Sequence, residues 1–154
     1  KGIFEGETIN TPSMLALEDY LDALGWGERI GGLAELQRRA DANAQVLFDW
    51  IERTPWIANL AVDRATWSNT SVCLKIVDPV VAGLDKDGQA KFAKDLVALL
   101  EKEGVGFDLG AYRDAPAGLR IWCGSTVEAS DVAALVPWIE WAFAELKGKL
   151  AKAA

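Results

Sequence analysis

NTSVCLKIV (residues 69–77), GQAKFAKDLVALLEKEG (88–104), VGFDLGAY (105–112) and LRIWCG (119–124) decide the fold. The first is rich in β-branched residues and reads as a strand. The second places Phe92, Leu96, Leu99 and Leu100 on one helical face, with Lys102 in its last turn and Gly104 behind it, a C-terminal signal. The third and fourth read as strands joined by a turn at DAPAG (114–118). Before them, IANLAV (57–62) is a short apolar strand, tied to the next through a hairpin connection in DRATWSN (63–69). After them, a last helix starts near Ser130, with Asp131 in its first turn and Leu135, Ile139, Ala142, Phe143 and Leu146 on its face. A kink is expected at Pro137, and fraying over residues 147–154. From Ile57 onward the order is β-β-α-β-β-α. That order predicts an α/β (α+β) sandwich of the ferredoxin-like split βαβ kind, an antiparallel sheet with two helices on one face.

Toward the N-terminus, Pro55 ends a helix predicted over 33–53. Its Leu33, Leu36, Ala40, Ala44, Leu47, Phe48 and Ile51 recur every three or four residues. Such a helix spans roughly 30 Å, enough to join a body to an outer layer. Ahead of it, Thr11-Pro12 reads as a helix start, with threonine as N-cap and proline at the first helical position. Apolar residues at 14, 15, 17, 21 and 24 fit one face, and Gly25, Gly27 and the Gly31-Gly32 pair limit or break it. Two regions follow: an arm with connecting helices over 1–54, and a small α/β domain over 55–154. An arm and a long helix before a small sandwich suggest a piece of something larger.

Composition narrows the function. The chain of 154 residues is 51% hydrophobic and 25% charged, ordinary for a globular protein. Its formal net charge of -7, with no Lys/Arg stripe, argues against a nucleic-acid partner. A local arginine pair can still bind a small anion. No apolar run approaches the length of about eighteen residues that a membrane span needs. KGIFEGETINTP lacks the apolar region of a signal peptide. The absence of histidine removes the commonest general base and metal ligand, and with them Ser-His-Asp, Cys-His and His-containing zinc sites. Cys73 and Cys123 lie in strand-like runs and read as buried thiols in a reducing compartment, with a disulfide as the alternative.

The strongest local candidate is GAYRDAPAGLRIWCG (110–124). Arg113 ends one predicted strand and Arg120 opens the next, so both can serve one rim of the sheet. The arginine fork suits carboxylate and phosphate oxygens. The competing reading pairs each arginine with a neighbouring acid such as Asp114 or Asp108. Residues 7–12, ETINTP, offer a helix N-terminus that can hold phosphate, or plain capping. Trp138 and Trp141, three apart on a helix, read as core or interface packing, while Trp56, Trp67 and Trp122 offer a cleft lining. Lys75 reads as part of a solvated strand face. Gly104 and Gly106 lack the context of a dinucleotide fingerprint.

ETINTPSM (7–14) followed by LEDYLDAL (17–24) resembles the segment after the active-site lysine in phosphoserine aminotransferases. RADANAQVLFDWIERTPWIANLAV (39–62), SNTSVCLKI (68–76) and GVGFDLGAYRDAPAGLRIWCGSTVEASDV (104–132) continue the resemblance in order, with wording most similar to the alphaproteobacterial branch. The resemblance implies the C-terminal small domain of a fold-type I aminotransferase dependent on pyridoxal 5'-phosphate. It implies transfer of an amino group between L-glutamate and 3-phosphohydroxypyruvate in serine biosynthesis, with some members serving pyridoxine biosynthesis. It also implies a cytoplasmic homodimer with active sites at the subunit boundary.

By the same resemblance, Asn10 and Thr11 reach the cofactor phosphate of the partner subunit, Arg120 binds the substrate α-carboxylate, and Arg113 helps hold the substrate's phosphate. Many members carry histidine before that arginine. Here Tyr112 stands in its place, able to donate a hydrogen bond but not to carry positive charge. The Schiff-base lysine and the residues that hold the cofactor ring are expected upstream of this chain, so no catalytic residue is assigned within it and the isolated segment is expected to be inactive. The alternatives are a free-standing ferredoxin-like module that binds a small anion, or a structural or dimerisation domain with tryptophans at an interface.

Overall fold

The computed structural model describes residues 2–8, 10–112 and 114–153. The chain falls into two compact units, residues 1–37 and residues 38–154.

In the first unit a 3-10 turn, Gly2–Glu5, precedes helix α1, Met14–Ile30. Thr11 is not its cap. Ser13 is, its side chain accepting a hydrogen bond from the N–H of Ala16 at 3.3 Å. Its backbone is extended and its carbonyl receives the Leu17 N–H, so it stands where the first helical bond closes; Thr11 lies two residues too early. Gly25 and Gly27 stay inside the helix, and the break comes at Gly31 and Gly32, with φ of 124° and 70°. A side chain resists those angles, and glycine does not. The apolar face of α1 is exposed at Met14, Leu17, Leu21 and Leu24. Helix α2, Gly32–Arg53, begins in this unit and continues into the second.

In the second unit α2 buries Ala40, Asn43, Ala44, Leu47 and Trp50. Ala40, Ala44 and Leu47 belong to the expected stripe, Phe48 and Ile51 pack partly buried against the core, and Asn43 and Trp50 were not part of it. Leu33, placed on the stripe by its spacing, is exposed. Strands β1 (Ile57–Asn59), β2 (Ser71–Ile76) and β3 (Leu119–Trp122) form an antiparallel sheet in the order β1-β2-β3. Asp78 opens a short helix α3, Pro79–Ala82, that patterning did not reveal. Helix α4 spans Lys86–Lys102 and stops at Gly104, φ 70°. Helix α5, Ala129–Ala153, runs on past Pro137 and remains helical through the tail where fraying was expected.

The strand predicted at 105–112 is not formed. What remains of it is a bridge between Gly110 and Leu119, with the Arg120 N–H bonded to the Leu109 carbonyl at 2.8 Å. Asp108 sits at φ 53°, a left-handed angle that interrupts an extended chain. What is present is a three-stranded sheet in which β2 and the Gly110 bridge lie on either side of β3, with α4 in the connection between β2 and Gly110, a βαβ arrangement in a mixed α/β fold.

The strands alternate faces. Val72, Leu74, Leu119 and Ile121 point into one core with Leu47 and Trp50 of α2, Leu96 and Leu100 of α4, and Ile139 and Phe143 of α5. The opposite face carries Cys73 and Arg120, direct partners across β2 and β3. Gly118 lets the turn before β3 close: a Cβ there would meet the Leu74 carbonyl oxygen at 2.0 Å.

Candidate functional site

Asn43 supports the loop behind β3. Its side-chain amide donates to the carbonyls of Cys123, Gly124 and Val127 at 3.0–3.2 Å. Arg39, one turn earlier on α2, bonds the Ser125 carbonyl at 2.8 Å and pairs with Glu128 at 2.5 Å. These contacts fix the passage from β3 to α5. No sequence motif announced Asn43; the signal available was a lone amide on an otherwise apolar helical stripe.

Arg120 projects from β3 beside a cleft of about 520 Å³. Ser71, Phe107, Asp108, Trp122 and Asp131 also line it, over a floor that includes Leu109 and Ile121. Its guanidinium Nη2 donates to Asp108 Oδ2 at 2.8 Å. Of the two readings open for this arginine, the neighbouring acid is thus realised in this state. The cleft beside it leaves room for a small anion. Asp131 lines the same cleft from the first turn of α5, a position the sequence explained by helix polarity alone.

Tyr112 is largely exposed and shares a small cavity of about 40 Å³ with Cys73 and Arg120. Arg113 lies outside the described residues, so its relation to Arg120 is not described. Asn10 and Thr11 are exposed residues of the first unit, preceding α1. The three tryptophans suggested as a cleft lining are dispersed instead. Trp56 stacks on Phe143 at 3.8 Å between ring centroids, Trp67 packs on Phe48, and Trp122 alone reaches the Arg120 cleft. Trp138 and Trp141 pack edge to face at 5.6 Å. Cys73 and Cys123 are both free thiols, and burial pushes Cys123 up to about 12. Among the described residues no helix is long and apolar enough to cross a membrane.

No family model matches the chain. A phosphoserine aminotransferase of Methanosarcina mazei is 47% identical to it over 143 residues, 93% of this chain and 36% of that protein. The chain is a relative of the phosphoserine aminotransferases. The enzyme of that name from Methanosarcina barkeri is 48% identical over the same span, and the one from Phocaeicola vulgatus 30% over 131 residues. The chain thus covers about a third of the length of these phosphoserine aminotransferases, 34–36%. Its fold is shared with the phosphoserine aminotransferase from Bacillus circulans subsp. alkalophilus, at a TM-score of 0.71 and 24% identity over 88% of this chain and 34% of that one. A second solved phosphoserine aminotransferase gives 0.73 at 16% identity, over 93% and 36%.

Proposed function

We propose that this chain is the C-terminal part of a phosphoserine aminotransferase, similar in wording to the alphaproteobacterial type. The whole enzyme moves an amino group between L-glutamate and 3-phosphohydroxypyruvate in serine biosynthesis, with a related step in pyridoxine biosynthesis. The observation that carries the proposal is the 47% identity sustained over 143 residues. On this reading residues 1–54 lead from a large domain and residues 55–154 form the small one. The enzyme is a cytoplasmic homodimer, and the isolated segment is inactive.

The cofactor of such an enzyme is pyridoxal 5'-phosphate. The exposed amide of Asn10 and hydroxyl of Thr11 are neutral donors suited to phosphate oxygens, so the residues present fit that end of the group. When bound, the cofactor supplies an electron sink. The lysine that carries it belongs to the upstream part of the protein.

The residues of this chain bind and orient. Arg120 takes the α-carboxylate that both substrates share, its fork matching two oxygens. Arg113 takes the phosphate of 3-phosphohydroxypyruvate, with the Tyr112 hydroxyl as an added donor. Steady-state kinetics of the full-length protein test this division. Arg120→Ala is expected to weaken both substrates by about 2–5 kcal/mol, the cost of removing one partner of a hydrogen-bonded charge pair. Arg113→Ala is expected to damage the phosphorylated substrate far more than glutamate. Equal losses for both substrates in Arg113→Ala would count against the assignment.

A further inference from the structure

Arg120 already holds a carboxylate. Asp108 touches it through one oxygen and one terminal nitrogen, 2.8 Å apart, the single-contact form of a pair that is strongest when two parallel bonds form. The partners differ in how firmly they are held. Arg120 rises from a paired strand with its side chain 32% exposed, whereas the Asp108 side chain is 86% exposed. Asp78 shows what a structural carboxylate looks like in this chain: 5% exposed and bonded to Lys147 and to the N–H groups of Val80 and Val81. Among the described residues, the Asp108 carboxylate has its hydrogen bond and ion pair with Arg120. It also sits on the one non-glycine backbone at positive φ among them, just before the Leu109 carbonyl and the Gly110 bridge that meet β3.

We infer that Asp108 is a resident counter-ion on Arg120 that an incoming carboxylate displaces, and that it thereby sets how tightly carboxylate substrates bind. The inference rests on reading Arg120 as the carboxylate clamp. An exposed, single-contact pair breaks at little cost. A substrate carboxylate that meets the fork with both oxygens forms the stronger pair and needs the nitrogen that Asp108 occupies. Asp108 swings into solvent without breaking any other hydrogen bond described for it. A weakly held anion does not displace it, so the internal acid acts as a threshold on ligand choice.

The test uses Asp108→Asn in the full-length protein. Asparagine keeps the size of the side chain and tolerates the left-handed backbone, so the segment retains its course. The measurements are KM and kcat for glutamate and the inhibition constant of glutarate, an unreactive dicarboxylate. The expected result is a fall of about two- to fivefold in the glutamate KM and the glutarate constant, the range an exposed ion pair supports, with the change in KM rather than kcat. On an Arg120→Ala background the same substitution is expected to give no such fall. Unchanged or raised constants in Asp108→Asn, or a fall that persists without Arg120, overturn the inference. If Arg120→Ala itself leaves the glutamate KM unaltered, the clamp reading fails, which is a separate result from an impaired Arg120→Ala enzyme that gains nothing from Asp108→Asn.

Discussion

Asp78 and Lys147 illustrate how much one buried carboxylate can decide. Asp78 caps α3 and receives Lys147 Nζ at 2.6 Å, bringing the far half of α5 to the end of β2. Burial alone would raise its pKa, but the bonds from Lys147, Val80 and Val81 outweigh it and hold the carboxyl below its ordinary value of 3.8. A depressed folded value means that the stabilisation is complete above the unfolded pKa and is lost as pH falls through the folded one. Thermal unfolding between about pH 5 and pH 2 should therefore show a loss that Asp78→Asn abolishes. At neutral pH that variant should cost about 2 kcal/mol, the scale of a lost cap and a charged hydrogen bond. In the sequence Asp78 simply follows the strand read over residues 69–77; Lys147 lies 69 residues away and nothing in local pattern joins them. Arg120 was legible because two arginines flanked one turn. Asp108 was legible only as one of two acids within reach of the arginines, and spacing along the chain does not say which of them Arg120 bonds.

At the scale of elements, period and punctuation located the helices well. The centre of the α2 stripe at Ala40, Ala44 and Leu47, the stop at Gly104 and the Gly31-Gly32 break appear in the structure, while Leu33 at the start of the stripe is exposed. Propensity misled at 105–112, where apolar residues read as a strand although Asp108 takes a left-handed angle, φ 53°, and only Gly110 bridges to β3. The N-terminus of α1 offers a direct comparison. Ser13→Ala should cost about 1 kcal/mol and fray the first turn, as read by amide exchange, while Thr11→Ala should leave helix content unchanged. A cofactor-retention defect in Thr11→Ala would then reflect phosphate contact and not lost capping. Asn43 gives the second comparison. Asn43→Ala removes donors from three loop carbonyls, at about 1–3 kcal/mol. Asn43→Asp should be worse, because it also turns a negative charge toward them. Urea unfolding of the two variants checks that order.

For the whole molecule, the two units should differ in local stability. Helix α1 buries Gly27 alone, whereas the second unit contains a core drawn from three long helices and the sheet. Native-state hydrogen exchange of the chain should therefore show two levels of protection, with α1 amides exchanging much faster than those of β2, α4 and α5. The exposed apolar face of α1 was invisible in the sequence, where the same periodicity signals a buried stripe; periodicity says which residues share a face, not what covers it. The contrast between the two cysteines has a practical side. At neutral pH Cys123 is sealed in the core as an unreactive thiol, and Cys73 is half-buried on the open face, directly across the ladder from Arg120. A thiol-directed fluorophore would therefore report from a single, naturally placed position, and its emission would follow events at the arginine without any engineered residue.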